Sequence, residues 1–270
     1  FFKQKTAYEI VHRDWSSDVC SSDLSEELLH QMFGVNAELL IDHAWGYEPC
    51  TIAQIRAYKP QSSSLGCGQV LHCPYTADKA RIVVQEMIDG ISLELVEKRL
   101  VTDQLVLTVG YDIENLTRPE IRKVYKGPVT TDRYGRRVPK HAHGTWNLPR
   151  ATSSSSELLE AMAALYDKIV NPALLIRRMS LSACHVVNEK MAKEREQKET
   201  FEQLDLFTDY AKKEAKEKEE QKKRERERRM QEALLTIKKK YGKNAVLRGM
   251  NFEEGATAKE RNGQIGGHQA

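Results

Sequence analysis

A run of charge near the carboxyl end most constrains how this chain can fold. Residues 211–229 contain 16 charged side chains in 19 positions, with both signs interspersed. Such a segment cannot build a core, because burying unpaired charges costs more free energy than packing returns. Opposite charges at helical spacing favour an exposed single helix, and the lack of an apolar heptad disfavours a coiled coil. The hydrophobic core must therefore come from residues upstream of this run.

The composition excludes a membrane-spanning protein and a disulfide-rich one. Charged residues make up 30% of the 270 positions, and no stretch approaches the roughly 18 to 20 consecutive apolar residues that a span requires. The five cysteines, Cys20, Cys50, Cys67, Cys73 and Cys184, are odd in number and lack CxxC spacing. Neither a disulfide framework nor a zinc site is indicated, and a reducing, cytoplasmic location is expected.

Residues 1–24 do not resemble a natural protein segment. KQKTAYEI (3–10) and RDWSSDVCSSDL (13–24) resemble the two constant halves of a translated sequencing-library adapter, with Val11 and His12 in place of a variable index. The segment lacks the apolar stretch of a signal peptide and carries four acids, unlike a transit peptide. We expect an artefact over 1–24, with coding sequence continuing upstream of Ser25. The alternative is a genuine polar tail.

Residues 25–61 predict short helices followed by a connection. LLHQMFGVNAELLIDHAW (28–45) has helical periodicity that breaks at Gly34 and restarts with Asn36 as the expected N-cap. Residues 49–61 are flanked by Pro49 and Pro60 and predict a linker. A second region begins at about Ser62.

Between residues 62 and 188 the hydrophobic period alternates between that of a strand and that of a helix. Strands are expected at 65–73, 104–111, 140–148 and 174–187, with helices at 77–100 and 155–170. A capping box of Ser154 and Glu157 opens the second helix, and a loop is expected over 112–139. The order β-α-β-β-α-β predicts an α+β fold, with both helices on one face of a four-stranded sheet. A charged helical or disordered tail would follow over 191–270.

The last predicted strand has an apolar side and a polar side. The apolar side suits the helix layer, whereas the polar side carries an arginine and small side chains: Arg178, Ser180, Ser182 and Cys184. Small polar residues beside an arginine are typical of a surface that meets a phosphate backbone. An ordinary solvated sheet face explains the same pattern equally well.

The stretch 118–150 is strongly basic and favours nucleic acid as the partner. It holds nine Lys and Arg residues, including Arg136, Arg137 and Lys140, against two acids, a net charge of +7. Aromatic and histidine side chains are interleaved, as expected where a chain follows a polyanion. His141 and His143 share one face of a strand, but no third ligand is identifiable, so a metal site is disfavoured.

One apolar island interrupts the charged tail. It consists of Gln203, Leu204, Asp205, Leu206 and Phe207. An exposed Leu-x-Leu-Phe with nothing local to pack against is typical of a short linear motif that fills a partner's pocket. A chance occurrence is the alternative. Residues 230–270 indicate no mechanism.

These features together resemble the C-terminal part of a Y-family translesion DNA polymerase of the DinB/UmuC type. FGVNAELLIDHAWGYEPCTI (33–52) is similar to the end of that family's thumb, which would leave a thumb remnant over 25–48. SSSLGCGQVL (62–71), DQLVLTVGYD (103–112), KHAHGT (140–145) and LLIRRMSLSACHV (174–186) fall where the strands of the DNA-binding little finger should lie. QLDLF (203–207) matches the family's sliding-clamp-binding pentapeptide and is the most specific of these motifs.

The resemblance implies a set of binding residues. The little finger, residues 62–190, would lie in the major groove of duplex primer-template DNA and contact phosphates with little sequence preference. We expect these contacts from Ser63, Ser64, Leu65, Gly66, Arg177, Arg178, Ser180, Ser182, Arg136, Arg137 and Lys140. Residues 203–207 would bind a replicative sliding clamp, and the parent protein would act in DNA repair and damage tolerance. No membrane partner is expected.

The same resemblance implies chemistry that this chain cannot perform alone. The family needs palm carboxylates, including an Asp-Glu pair, to hold two Mg²⁺ ions for phosphoryl transfer. No Asp-Glu dipeptide occurs in the chain. We therefore expect no catalytic residue, cofactor or metal site in it, and no primer extension by the isolated chain.

Two other classes of protein remain open. A non-catalytic accessory protein that binds DNA and the clamp would differ only in whether coding sequence continues upstream of Ser25. A structural or RNA-associated protein would use the charged helix as its binding surface. That second class predicts that deletion of residues 211–229 abolishes nucleic-acid binding.

Overall fold

The computed structural model describes residues 25–58, 63–132, 135–192, 194, 210–265 and 268–269. The expectation for residues 1–24 lies outside these ranges. The chain divides into two units between Pro60 and Gln61. The helices and strands, in chain order, are α1 (Glu26–Phe33), α2 (Asn36–Ala44), α3 (Ile52–Ala57), β1 (Leu65–Tyr75), α4 (Ala77–Lys98), β2 (Leu100–Tyr111), α5 (Glu114–Thr117), α6 (Pro119–Val124), β3 (Val129–Thr131), β4 (Arg137–Pro139), β5 (Ala142–Thr152), α7 (Ser155–Ile169), β6 (Ile176–Cys184), β7 (Val187–Asn188), α8 (Tyr210–Tyr241), the 3₁₀ turn Gly249–Phe252, α9 (Ala258–Arg261), β8 (Gln264–Ile265) and β9 (His268–Gln269).

The amino-terminal unit is a helical pair with a further short helix and almost no core. Ser25 caps α1, because its hydroxyl accepts a hydrogen bond from the Leu28 amide at 3.3 Å. Among the described apolar side chains of this unit, only Leu29 and Ala37 are buried. Large side chains such as Trp45 stay exposed.

One expectation for this unit is wrong. Asn36 is the first helical residue of α2 and not its N-cap, a place that Val35 takes without a side-chain hydrogen bond. The expected linker, residues 49–61, contains α3. Thr51 and Gln54 make a reciprocal capping box, with bonds of 2.8 and 3.3 Å that satisfy two amides at the helix start.

The second unit is a mixed α/β fold with an antiparallel sheet, which confirms the sequence prediction at that level. The four long strands lie in the order β1-β6-β2-β5, and β7 pairs with the start of β2. Helices α4 and α7 cover one face, where Leu105, Leu107, Leu158 and Leu181 are fully buried. The core therefore lies between this helix pair and the sheet.

The interval 112–139 is more structured than the loop expected there. It contains α5, α6 and the β3-β4 hairpin. Asn115 is fully buried, and its side chain donates to the Asp112 and Leu175 carbonyls and accepts from the Leu175 amide, at 2.7 to 2.8 Å. These turns depend on specific hydrogen bonds, so hydrophobic periodicity could not reveal them.

The charged helix α8 packs onto the domain, so the expectation of a fully solvated helix is wrong. Its side chains at positions 224, 227, 228, 231, 234, 235 and 238 are half-buried or buried and share one face at helical spacing. Gln231 is 1% exposed and donates to the Ser153 carbonyl at 3.0 Å and the Ser155 hydroxyl at 2.7 Å. No helix in the described ranges could cross a membrane.

Residues 242–261, the C-terminal strap, return along α4. Glu86 of α4 is 3% exposed, and its carboxylate accepts hydrogen bonds from the Thr257 and Ala258 amides at 2.8 and 3.0 Å. The Asn251 side chain donates to it at 2.8 Å. The strap and α8 therefore form a third layer outside the helix pair, although the sequence of the strap indicated no role.

We predict that Glu86→Gln lowers the free energy of unfolding by about 2 to 3 kcal/mol, since an amide cannot accept from all of the buried donors around this carboxylate. Urea denaturation followed by circular dichroism measures the loss. The matched control is Glu97→Gln on the same helix, where an exposed carboxylate 2.8 Å from Lys239 is worth less than about 0.5 kcal/mol. Equal losses in the two variants would contradict the role given to Glu86.

Candidate nucleic-acid interface

The face of the sheet opposite α4 and α7 carries mostly small and polar residues. Strand register and alternating exposure place these outward-facing residues on it: Gly66, Gly68, Val70, Gln104, Val106, Thr108, Gly110, His143, Thr145, Asn147, Arg178, Ser180 and Ser182. This surface is termed the open face. Glycine and serine leave little side-chain bulk above the strands, so a ligand can approach the backbone closely.

The pairing of the strands aligns residues of the open face in rows. One row crosses all four strands through Gly68, Ser180, Thr108 and His143. The Thr108 hydroxyl lies 2.9 Å from Nδ1 of His143, a hydrogen bond that fixes the imidazole against its neighbour. The row presents hydroxyl and imidazole groups, which can donate to phosphate oxygens.

Arg178 is the one arginine on the open face within the described ranges. Its side chain lies across Gly110, where a Cβ would stand 2.5 Å from Cγ and 2.6 Å from Nε of the arginine. The guanidinium is exposed and has no carboxylate partner in the described part of the chain. The glycine therefore determines where this free cation lies.

Arg177 does not share that position, although the sequence pairs it with Arg178. Its Nη1 donates to the His72 carbonyl at 3.0 Å, and its Nε lies 3.8 Å from Oδ2 of Asp112. The pairing of β1 with β6 shifts register between Val70 and Tyr75. Contacts at the end of the sheet thus already occupy this guanidinium, whereas Arg178 points to solvent.

The predicted residues at the start of β1 have different surroundings. The Ser63 hydroxyl donates to the Val186 carbonyl at 2.5 Å, and the Ser63 carbonyl accepts from the Val186 amide at 3.0 Å. Ser64 is exposed, Leu65 packs against the core, and Gly66 lies on the open face. Because β1 is an edge strand, alternate amides along it point away from the sheet and can bind a ligand.

The basic residues in and next to the β3-β4 hairpin also differ in whether an internal partner already holds their charge. Arg136 donates from its amide and its Nε to the Asp132 carboxylate, at 3.0 and 2.9 Å, and closes the turn. Arg137 and Lys140 are exposed and make no ion pair in the described part of the chain. Of these three described residues, Arg137 and Lys140 have charges that a polyanion could use without first breaking an internal bond.

The free charge lies at one end of the open face. Arg178 pairs with Gly110, and the neighbouring Val109 pairs with Ala142. Lys140 precedes Ala142 by two positions, so the hairpin joins β5 at the end of the sheet where Arg178 lies. The elements that meet at this end of the sheet therefore carry three cations, Arg178, Arg137 and Lys140, beside the backbone of Gly110.

Two further expectations concern ligands other than DNA. Residues 203–207, the expected clamp-binding motif, lie outside the described residues. Within the described ranges, no three His, Cys, Asp or Glu side chains are grouped so that they could hold a metal ion. His143, weighed as a metal ligand, instead bonds Thr108.

Of the thirteen open-face residues, the sequence identified four as DNA-binding: Gly66, Arg178, Ser180 and Ser182. It missed Thr108 and Gly110 on β2 and His143 on β5. The sequence did contain a signal for these residues, because large apolar side chains alternate with smaller residues over 104–111. However, only the strand order and register show which of the two alternating sets shares a face with Ser180.

Comparisons with known proteins identify no relative. A scan against models of protein families finds no match, and a search of curated proteins finds no similar sequence.

We predict that Gly110→Ala destabilises the domain by about 1 kcal/mol, because the new Cβ forces Arg178 away from its rotamer. Urea denaturation measures the change. Gly68→Ala is the matched control, since a Cβ there meets only a carbonyl at 3.6 Å. In the Arg178→Ala background the cost of Gly110→Ala should vanish. A cost that persists there would show that the two residues are not coupled.

Proposed function

We propose that this chain binds duplex DNA through the open face and is the DNA-binding and clamp-tethering portion of a Y-family translesion polymerase. The parent protein would carry out nucleotide addition with Mg²⁺, and the unit over residues 62–190 would be its little finger. Residues 25–48 would be the remnant of its thumb, and residues 49–61 would be the linker between the two. The resemblance in sequence supplies the family, and the geometry of the sheet supports the DNA-binding part.

The observation that carries the proposal is the contrast between the two faces of the sheet. One face is covered by apolar packing against helices, whereas the other carries mostly small and polar residues, two valines and one free arginine. Such a surface suits phosphate and sugar contacts, which position a protein on DNA without reading bases. Little sequence preference follows, as damage tolerance at arbitrary sites requires.

The alternative that the charged helix binds nucleic acid has less support. Arg224 and Arg228 of α8 pair with Glu157 and Glu189 of the domain, at 3.4 Å each. These arginines therefore hold the helix in place. Deleting residues 211–229 would remove such contacts and could not separate binding from folding, whereas Lys222 and Lys223 are exposed and can be replaced without that difficulty.

We predict that Arg178→Ala lowers the slope of log affinity against log salt by about 0.9, the value for one lost phosphate contact on duplex DNA. Fluorescence anisotropy with a labelled primer-template duplex, titrated at several salt concentrations, measures the slope. Arg177→Ala should change it less, because the His72 carbonyl and Asp112 already hold that guanidinium.

The control for this experiment is the double change Lys222→Ala with Lys223→Ala, which removes two exposed cations of α8 and should leave the slope unchanged. A slope that falls in this control but not in Arg178→Ala would assign the nucleic-acid surface to the helix. The open-face proposal would then be wrong.

We predict that Leu206→Ala with Phe207→Ala weakens binding to a replicative sliding clamp by about 3 to 6 kcal/mol, since each apolar side chain buried in a pocket contributes roughly 1.5 to 3 kcal/mol. Surface plasmon resonance with immobilised clamp measures the loss. Thr200→Ala with Thr208→Ala, which flanks the motif, should have no effect. Undiminished binding by the Leu206 and Phe207 double variant would refute the clamp assignment while leaving DNA binding untouched.

A further inference from the structure

A groove lies along α4 of the second unit and reaches the edge strand β1, where Gly68 lines it. It runs between α4 and the C-terminal part of α8 and encloses about 730 Å³. Its floor is apolar, with Met87, Ile91 and Leu93 from α4 and Leu235 from α8. Cys67 of β1 also lines it, and burial raises the pKa of this thiol to about 11, so the floor is uncharged at neutral pH.

The rim of the groove is cationic. It consists of Lys98, Lys238, Lys239, Lys243 and Arg261, set against Glu94 and Glu97. Two of the lysines are neutralised locally, because Lys98 lies 2.6 Å from Glu94 and Lys239 lies 2.8 Å from Glu97. The remaining three cations are the ones a ligand would meet.

Those three cations bond only neutral groups or none within the described ranges. Lys238 donates to the Lys243 carbonyl at 3.2 Å, and Arg261 donates to the Gln69 side-chain oxygen at 2.6 Å. The Lys243 side chain is exposed and has no partner in the described part of the chain. Neutral acceptors satisfy hydrogen bonds without cancelling charge. Lys238 also interacts electrostatically with the Asp89 carboxyl of α4, so Lys243 and Arg261 carry the least compensated positive charge beside the apolar floor.

We propose that this groove binds an acidic peptide segment of a partner protein, with large apolar side chains on the floor and carboxylates at the rim. The apolar floor and the cationic rim together favour a ligand that is apolar and anionic at once. An acidic peptide with leucine or phenylalanine meets both requirements, and charge complementarity would also speed its association.

Two variants test the floor and the rim separately. Gly90 is exposed and lines the groove, and a Cβ there meets nothing within 4 Å. Gly90→Leu therefore places an apolar side chain in the groove with no clash at its Cβ, and it replaces a poor helix former with a good one. Lys243→Glu reverses a rim charge that makes no internal bond. Lys222→Glu, an exposed lysine of α8 that does not line the groove, is the matched control for the charge reversal.

The experiment uses the full chain and a fluorescein-labelled peptide, EDELLFEDE, in an anisotropy titration. We expect Gly90→Leu to weaken binding by about tenfold or more and Lys243→Glu by about fivefold. Lys222→Glu should bind as the unchanged chain does. The peptide KKKLLFKKK should fail because of its charge, and EDEGGSEDE should fail because it has nothing to place on the floor.

The proposal is overturned if either control peptide binds as tightly as EDELLFEDE, if EDELLFEDE does not bind, or if Gly90→Leu and Lys243→Glu leave its affinity unchanged. It is also overturned if a single-stranded oligonucleotide displaces the peptide and itself loses affinity in Gly90→Leu, since the groove would then be a nucleic-acid site. Thermal unfolding of each variant shows that the fold is retained. None of these results depends on DNA binding by the open face.

Discussion

The order of the second unit depends on helix α4, which is buried on two sides. A surface helix ordinarily buries one apolar stripe, and Ile88 and Leu95 form such a stripe against the sheet. Away from the sheet, α4 also makes buried contacts, and these are hydrogen bonds between polar side chains. The Ser92 hydroxyl lies 2.6 Å from that of Ser155, which in turn accepts from Gln231 of α8. Because buried hydrogen bonds tolerate little displacement, these contacts fix the third layer in one arrangement.

The two faces of the sheet differ because all the described covering elements, including the third layer, lie on the same side. Helices α4 and α7 cover one face, and α8 and the strap add to that same side. None of the described secondary-structure elements covers the open face, and the glycines on β1 and β2 leave no side chains above the backbone there. Arg178 can lie over it because Gly110 has no side chain. The proposed DNA contact of Arg178 thus depends on the absence of a Cβ at residue 110.

Hydrophobic periodicity predicted the main strands and helices but failed where polar partners decide the structure. The pattern predicts β2 from residue 104, whereas the strand begins at Leu100. The register with β5 shifts between Thr102 and Gln104, and this irregularity breaks the alternation. Asn115 and Gln231 are buried because of partners at Leu175 and Ser153, far along the chain. No local pattern could identify such residues, and the same holds for the separate positions of Arg177 and Arg178.

The contact between Glu86 and the strap has a consequence for synthesis of the protein. Glu86 and Asn251 are 165 residues apart in the chain, so translation at ordinary rates leaves roughly 10 to 30 s between them. During this interval the Glu86 carboxylate is hydrated, and the part of α4 that the strap later contacts is uncovered. The nascent domain therefore exposes to chaperones and to neighbouring chains a surface that the finished molecule hides.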